Sequence, residues 1–404
     1  MVRIFAYILT ILLFIGPSIL HSLDFPVEGL QNSRYFYPGF YLIIPAIVYV
    51  YWKQDTTFMK YPDKQIGLLL IFVFLSCLIF YEKKTLLINS IALPTLYGLF
   101  FVNMSLADMK NMRKIVLVMF IVNCTLAICE RLFMHNLFPM SSVYKYMAFS
   151  QTDLGLFRSS ALLGHPLSNA LITSIIMGFI MVSSIGNTLK YGLLLLGFFA
   201  LVCFNARGAV IITGISTFVY FLWRLFTLQE SFKSKLLGIL FIATCVVFMA
   251  MLLSNGFGGR FFEYAVREDD SILARIKVWN ILKKMSLDSW LFGMDDVRAY
   301  AMKTIGSFHI ENWLIIYVMN FGIIVTAMYI TLFIPIFRYF MRPYTKFHSL
   351  MVFGIFICVA STNNSLATNV PAISMFFVCS RAFLPMVNGT QYANLIETLM
   401  IQTK

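Results

Sequence analysis

The sequence predicts an all-α fold, a polytopic transmembrane helical bundle of about twelve spans. Three observations carry this. The first is composition: of 404 residues, 60% are hydrophobic and only 12% are charged, with 41 Phe and 23 Met. Soluble domains carry roughly 25% charged residues. A chain with half that share cannot hide its apolar surface in a water-soluble core, and its mean hydropathy is +0.82. The second is patterning: the apolar residues fall in long runs, and a spanning helix needs about 20 of them. The third is charge placement, because Lys and Arg gather in alternate connections between those runs. Together they exclude a cytosolic enzyme, a disordered chain and a disulfide-rich secreted domain.

The runs lie at 3–22, 38–52, 65–81, 86–107, 114–134, 166–184, 190–206, 208–226, 236–255, 312–337, 348–362 and 369–386. The first begins with one Arg, and no small-residue cleavage site follows Pro17. It reads as a retained helix rather than a signal peptide. The second, third and eleventh are short, which suits a tilted or partly re-entrant path. An even number of spans places both termini on one side. With that side inside, the inner connections hold Lys53, Lys60, Lys64, Lys110, Arg113, Lys114, Lys190, Arg224, Lys233, Lys235, Arg338, Arg342 and Lys346. The short outer ones hold Arg34, Lys83 and Lys84, the last two a mild exception. The formal charge of +13 belongs to this topology rather than to nucleic-acid binding.

Two long outer segments remain, 135–165 and 256–311. In the second, basic and acidic residues cancel, and apolar and charged residues alternate from Ile272 to Leu287. That pattern suits helices lying at a membrane surface. No repeat and no low-complexity stretch divides the chain, so 1–404 reads as a single membrane domain. The seven cysteines all sit in apolar runs without a CxxC pair, so neither a disulfide nor a cysteine metal site is expected.

Four places carry polar chemistry at outer helix ends, where charge is costly. In Phe204–Ala209, Arg207 stands between two apolar runs in a tight turn. Its fork of donors suits a phosphate, and on spacing alone a snorkelling arginine is the favoured alternative. In Phe157–Pro166, Arg158 and small residues precede a helix that Pro166 opens, an arrangement able to hold an anion or to serve as a plain polar turn. Arg275 and Trp279 share a helix face one turn apart. They suit a phosphate clamp or a sugar stack, or an interfacial aromatic anchor. In Phe308–Trp313, His309 and Glu311 are the acid–base candidates, and capping of the following helix is the alternative. No nucleotide-binding, metalloprotease or serine-hydrolase motif is present.

Taken in order, these four places resemble the O-antigen polymerase and O-antigen ligase superfamily of bacterial inner-membrane proteins. Phe157 to Asn169 resembles that family's Arg-small-Gly-x-x-x-His/Asn-Pro stretch. Ala206-Arg207-Gly208-Ala209 resembles its Ser-Arg-Gly-Ala helix start. Arg275-x-x-x-Trp279 with Leu291-Phe292-Gly293-Met294 resembles its Arg-x-x-x-Trp and Leu-Phe-Gly-x-Gly signature. Asn312 through Gly322 resembles its His-Asn opening with a glycine ten residues on. The resemblance covers about residues 150–340. Ala206 replaces a Ser, Met294-Asp295 replaces the second Gly, and Glu311 stands where the ligases typically carry His. The last change favours polymerase over ligase.

The resemblance implies an inverting, metal-independent glycosyl transfer at the periplasmic face, with no cofactor. The donor is an oligosaccharide on undecaprenyl diphosphate. The acceptor is another lipid-linked repeat unit in a polymerase, or lipid A–core in a ligase. Arg207, Arg275 and Arg158 would hold the diphosphate. Glu311 or His309 would orient or deprotonate the acceptor hydroxyl, and Trp279, His165 and Asn312 would contact sugar. Segment 256–311 would be periplasmic and roof a cavity open to lipid. Both termini would be cytoplasmic, and membrane lipids and a chain-length regulator are the expected partners. A lipid-linked oligosaccharide flippase or other transporter is the rival from another class. Its repeated halves and midplane charges are not evident here.

Overall fold

A computed structural model describes residues 2–16, 19, 38–53, 63–102, 104, 106–138, 157–227, 232–254, 278–306, 310–368 and 370–384. The regular elements among these residues are helices, and no strand occurs among them. In chain order the helices are α1 (Val2–Leu12), α2 (Pro38–Lys53), α3 (Asp63–Ile79) and α4 (Tyr81–Val102). Next come α5 (Leu106–Phe133), α6 (Pro166–Val182), α7 (Asn187–Cys203), α8 (Arg207–Phe226) and α9 (Phe232–Ser254). Three short helices follow: α10 (278–284), α11 (Leu287–Phe292) and α12 (Val297–Ile305). The chain closes with α13 (Trp313–Met341), α14 (Lys346–Ser361) and α15 (Ala372–Ala382).

Four stretches are long and apolar enough to cross a membrane: Tyr81–Val102, Asp108–Phe133, Arg207–Phe226 and Trp313–Met341. Shorter apolar helices, among them α1, α6, α7, α14 and α15, pack with them. α6 lies at the centre. All but one of its seventeen residues are buried, and it touches α7, α8, α14 and α15. A helix apolar on every side is one that other helices surround. Aromatic rings fill the space around it: Phe179 meets Phe376 at 5.2 Å, and Phe340 stacks on Phe377 at 4.4 Å.

α4 is composite. Its first turn, Tyr81–Lys83, is a 3-10 turn, and a π turn follows at Ile88–Ala92 before the α stretch Leu93–Val102. The π turn buries Asn89 and Ser90, and the Ser90 hydroxyl meets the Tyr317 hydroxyl of α13 at 2.5 Å. Such widened turns present polar groups that a regular helix keeps internal.

Side-chain contacts sort the helix ends into two sets. At one end lie the start of α6, the turn between α7 and α8, the end of α14 and the start of α13. Gly208 abuts Thr362, and the Tyr317 hydroxyl lies 3.4 Å from the Leu366 carbonyl. At the opposite end Arg3 pairs with Asp108, the Lys190 ammonium donates to the Ser183 carbonyl at 2.6 Å, and Tyr344 donates to the Ser380 carbonyl at 2.8 Å.

The described part of segment 256–311 folds as α10, α11 and α12. A separate small core joins them to α13: Val278, Ile281, Ala301, Ile310, Ile315 and Met319. α11 docks on α13 through two glycines. Gly322 interrupts α13 with φ 75° and ψ 167°, and Gly293 ends α11 with φ 85° and ψ −176°. That backbone region is essentially glycine's alone. A methyl group at Gly322 would lie 2.0 Å from the Leu291 carbonyl oxygen, and one at Gly293 2.6 Å from that of Asn320. The Met294 N–H donates to the Met319 carbonyl at 2.8 Å. Lys83 closes the joint, donating to the carbonyls of Met294 at 2.6 Å and Asn320 at 2.8 Å. This gives Lys83 a local structural role at that end.

Candidate functional site

The site is built around a buried loop, residues 157–165. A loop inside a helical bundle must have its backbone groups satisfied, or each costs free energy comparable to a lost hydrogen bond. Side chains do this here. Glu130, near the end of α5, accepts from the N–H groups of Ser160 (2.8 Å) and Ala161 (2.9 Å) with one oxygen and from Leu137 (3.0 Å) with the other. The Arg131 guanidinium donates to the Phe157 carbonyl. Asn123 accepts from the Leu162 N–H at 3.2 Å. Asn169 of α6 accepts from the Leu163 N–H at 3.4 Å, and its amide donates to the Ser160 and His165 carbonyls. The Ser159 N–H donates to the Cys203 carbonyl of α7 at 3.1 Å, and the Gly16 N–H to that of Leu162 at 3.0 Å. Ala161 carries φ 39°, a conformation that surrounding contacts must enforce.

This loop delivers Arg158 to the start of α8. The Arg158 Nε faces the Phe204 carbonyl at 3.4 Å. The receiving turn is itself rigid. Asn205 takes φ 53°, its N–H donates to the Val202 carbonyl at 2.9 Å, and the Ala206 N–H donates to that of Leu201 at 3.4 Å. This pair of bonds is a Schellman cap, with Asn in the left-handed position that usually takes Gly. Arg207 follows at once as the first residue of the 20-residue α8. Arg158, distant in sequence, thus reaches the turn from which Arg207 opens α8, where the open N–H groups of a long helix also favour an anion. Gly208 lets α14 approach: a methyl there would sit 2.9 Å from Thr362.

His165 caps this assembly in extended conformation, just ahead of Pro166 in the first turn of α6. Burial, with Arg158 beside it, pushes its pKa down to about 4. The ring is therefore neutral near pH 7 and offers one donor and one acceptor nitrogen.

The remaining expected site residues distribute as follows. Asn312 caps α13, its side-chain oxygen accepting from the N–H groups of Leu314 (3.0 Å) and Ile315 (3.2 Å). Glu311 stands next to it, after the buried Ile310. Both share the end of the bundle that holds Arg207, since the 362–368 connection reaches Gly208 on one side and Tyr317 on the other. Trp279 is 52% exposed on α10. Arg275 and His309 lie outside the described residues. Among the described residues no three His, Cys, Asp or Glu side chains converge as a metal site would require.

The scaffold of this site rests on residues outside the four motifs. Glu130 and Arg131 are an adjacent acid–base pair at the end of an apolar helix, and that costly placement was the available signal. The polar run Thr362-Asn363-Asn364-Ser365 between α14 and α15 is a second. Asn363 is buried and accepts from the Ser365 N–H at 2.8 Å.

No protein-family model matches the chain, and no characterised protein matches it in sequence.

Proposed function

We propose that this protein is a bacterial inner-membrane glycosyltransferase that polymerises undecaprenyl-diphosphate-linked repeat units of O-antigen or a related surface polysaccharide. The observation that carries the reading is the approach of the Arg158 guanidinium to the α7–α8 turn from which Arg207 opens its helix, at one end of an apolar bundle. A lipid pyrophosphate needs such a place: fixed cations at the membrane boundary, beside a tail that stays in the bilayer. The ordered resemblance to the polymerase and ligase superfamily supports the same chemistry. The proposed topology has about twelve spans with both termini cytoplasmic. It places this end in the periplasm, opposite the end that holds Arg3, Lys190 and Tyr344.

In the proposed reaction the acceptor hydroxyl oxygen attacks the anomeric carbon of the donor glycan. The new C–O bond forms as the bond from that carbon to the diphosphate oxygen breaks. Undecaprenyl diphosphate leaves with the electron pair, and Arg158, Arg207 and Arg275 take up its charge. The hydroxyl proton passes to Glu311 or His309. A single displacement inverts the anomeric centre. Neutral His165, beside Arg158, accepts a hydrogen bond from a sugar hydroxyl without adding charge to the site. Trp279 and Asn312 are the further sugar contacts, and a chain-length regulator is the expected protein partner.

The test is a deletion strain. Single repeat units on undecaprenyl diphosphate should accumulate, and surface polysaccharide should collapse to one repeat on a gel. Accumulation of long lipid-linked polymer would instead identify a ligase, and an unchanged ladder would overturn the glycosyltransferase reading.

A further inference from the structure

At the end of the bundle opposite Arg158 and Arg207, a shallow surface crevice opens between α7, α8 and α9. Arg224, Lys235 and Ser234 line its polar side, and Tyr191, Phe221 and Gly238 its apolar side. The polar side is an ordered arrangement. Ser234, buried in the first turn of α9, accepts from the Arg224 guanidinium at 3.0 Å and from the Asn187 amide at 3.1 Å. These bonds tie the ends of three helices to one hydroxyl and fix the Arg224 side chain among them. The apolar side is a closed aromatic stack: Tyr191 lies on Phe241 at 5.1 Å and against Phe221 at 5.4 Å. Among the described residues no acidic side chain lines the cleft.

The rim has a different character. Phe226 and Phe232 are each 81% exposed, and Trp223 stacks on Phe347 at 4.3 Å beside them. Aromatic rings at the ends of a membrane-length helix mark the level of lipid headgroups. A ligand for this place must therefore bring a negative, oxygen-rich head to two cations and an apolar body to the rings outside. A free anion satisfies the first demand and leaves the second unmet.

We propose that this cleft binds the phosphodiester headgroup of an anionic phospholipid in the leaflet at that end of the bundle. Arg224 supplies one positive charge and Lys235 a second. The acyl chains run along the outward faces of α8 and α9, where Ile215, Phe218, Leu236 and Leu240 are exposed. The site is independent of the proposed transferase chemistry, which sits at the other end.

The experiment uses the full chain purified in neutral detergent, with bound lipid counted by native mass spectrometry and unfolding followed by temperature. Phosphatidylglycerol, phosphatidylcholine and inorganic phosphate are the three probes. Phosphatidylglycerol should bind about tenfold more tightly than phosphatidylcholine and raise the unfolding temperature. The double variant Arg224→Gln/Lys235→Gln should lose that preference. Gly238→Leu keeps both charges and should lose it too. A methyl at Gly238 meets Phe221 at 3.6 Å and the Tyr191 hydroxyl at 3.8 Å, ordinary contact, so a longer side chain enters the cleft without displacing backbone. If the double variant does not fold, Gly238→Leu decides. Equal binding of the two lipids, or a preference that survives Gly238→Leu, overturns the proposal. Stabilisation by inorganic phosphate alone overturns the lipid and assigns the cleft to a free anion.

Discussion

Arg207 is held on both sides, by a Schellman cap before it and by α8 after it. Its backbone is therefore fixed, and in the proposed reaction the guanidinium it carries takes up charge on the departing diphosphate. Losing one charge-assisted bond costs about 1.5–3 kcal/mol, or about ten- to a hundredfold in rate. Arg207→Ala should therefore abolish long polymer while the protein remains in the membrane at its usual level, as an immunoblot of membranes and a polysaccharide gel would show. Arg207→Lys should rescue only in part, since an ammonium lacks the planar fork. His165 makes a prediction about pH. Its pKa falls from the ordinary 6.5 to about 4 in the folded protein. Between those values the unfolded chain binds a proton that the folded chain refuses. Stability gained from neutral His165 is thus complete above about 6.5 and is lost as pH falls towards 4. His165→Gln should flatten that decline in unfolding temperature, and an unaltered slope would place the titration elsewhere.

At the scale of elements, the buried loop and the glycine joint explain why short motifs sit where they do. Glu130 satisfies three backbone N–H groups. Leaving a buried donor unsatisfied costs about 1–3 kcal/mol. Glu130→Ala should therefore lower the unfolding temperature and weaken polymer formation together, because the same loop carries Arg158. Gly322→Ala should undock α11. Its backbone conformation costs a side chain about 1–3 kcal/mol, before the clash with the Leu291 carbonyl. Limited proteolysis within 287–306 should speed up in that variant, and wild-type resistance there would refute the joint. Much of the helix pattern was legible because apolar runs announce themselves: the α7–α8 turn falls where Asn205 to Gly208 parts two such runs. Two things were not legible. Segment 157–165 read as part of an outer loop because hydropathy does not register a carboxylate bonded to backbone. α4 begins earlier than its apolar run, at Tyr81, because the Lys83 clamp on α13 and the π turn bring polar residues into the helix.

For the whole molecule, the two ends differ in kind. One gathers arginines on buried, strained backbone, and the other spreads lysines and arginines over helix ends. That asymmetry is compatible with the proposed membrane enzyme, its site facing outward and its other end inward. The lipid-linked repeats that a deletion strain accumulates also supply a substrate. Returned to the purified protein in lipid nanodiscs, they should be joined into longer chains. One undecaprenyl diphosphate should be released per linkage, and Arg207→Ala should work at least about tenfold more slowly. Equal rates from the two proteins, or no chain growth from the wild type, would contradict the account.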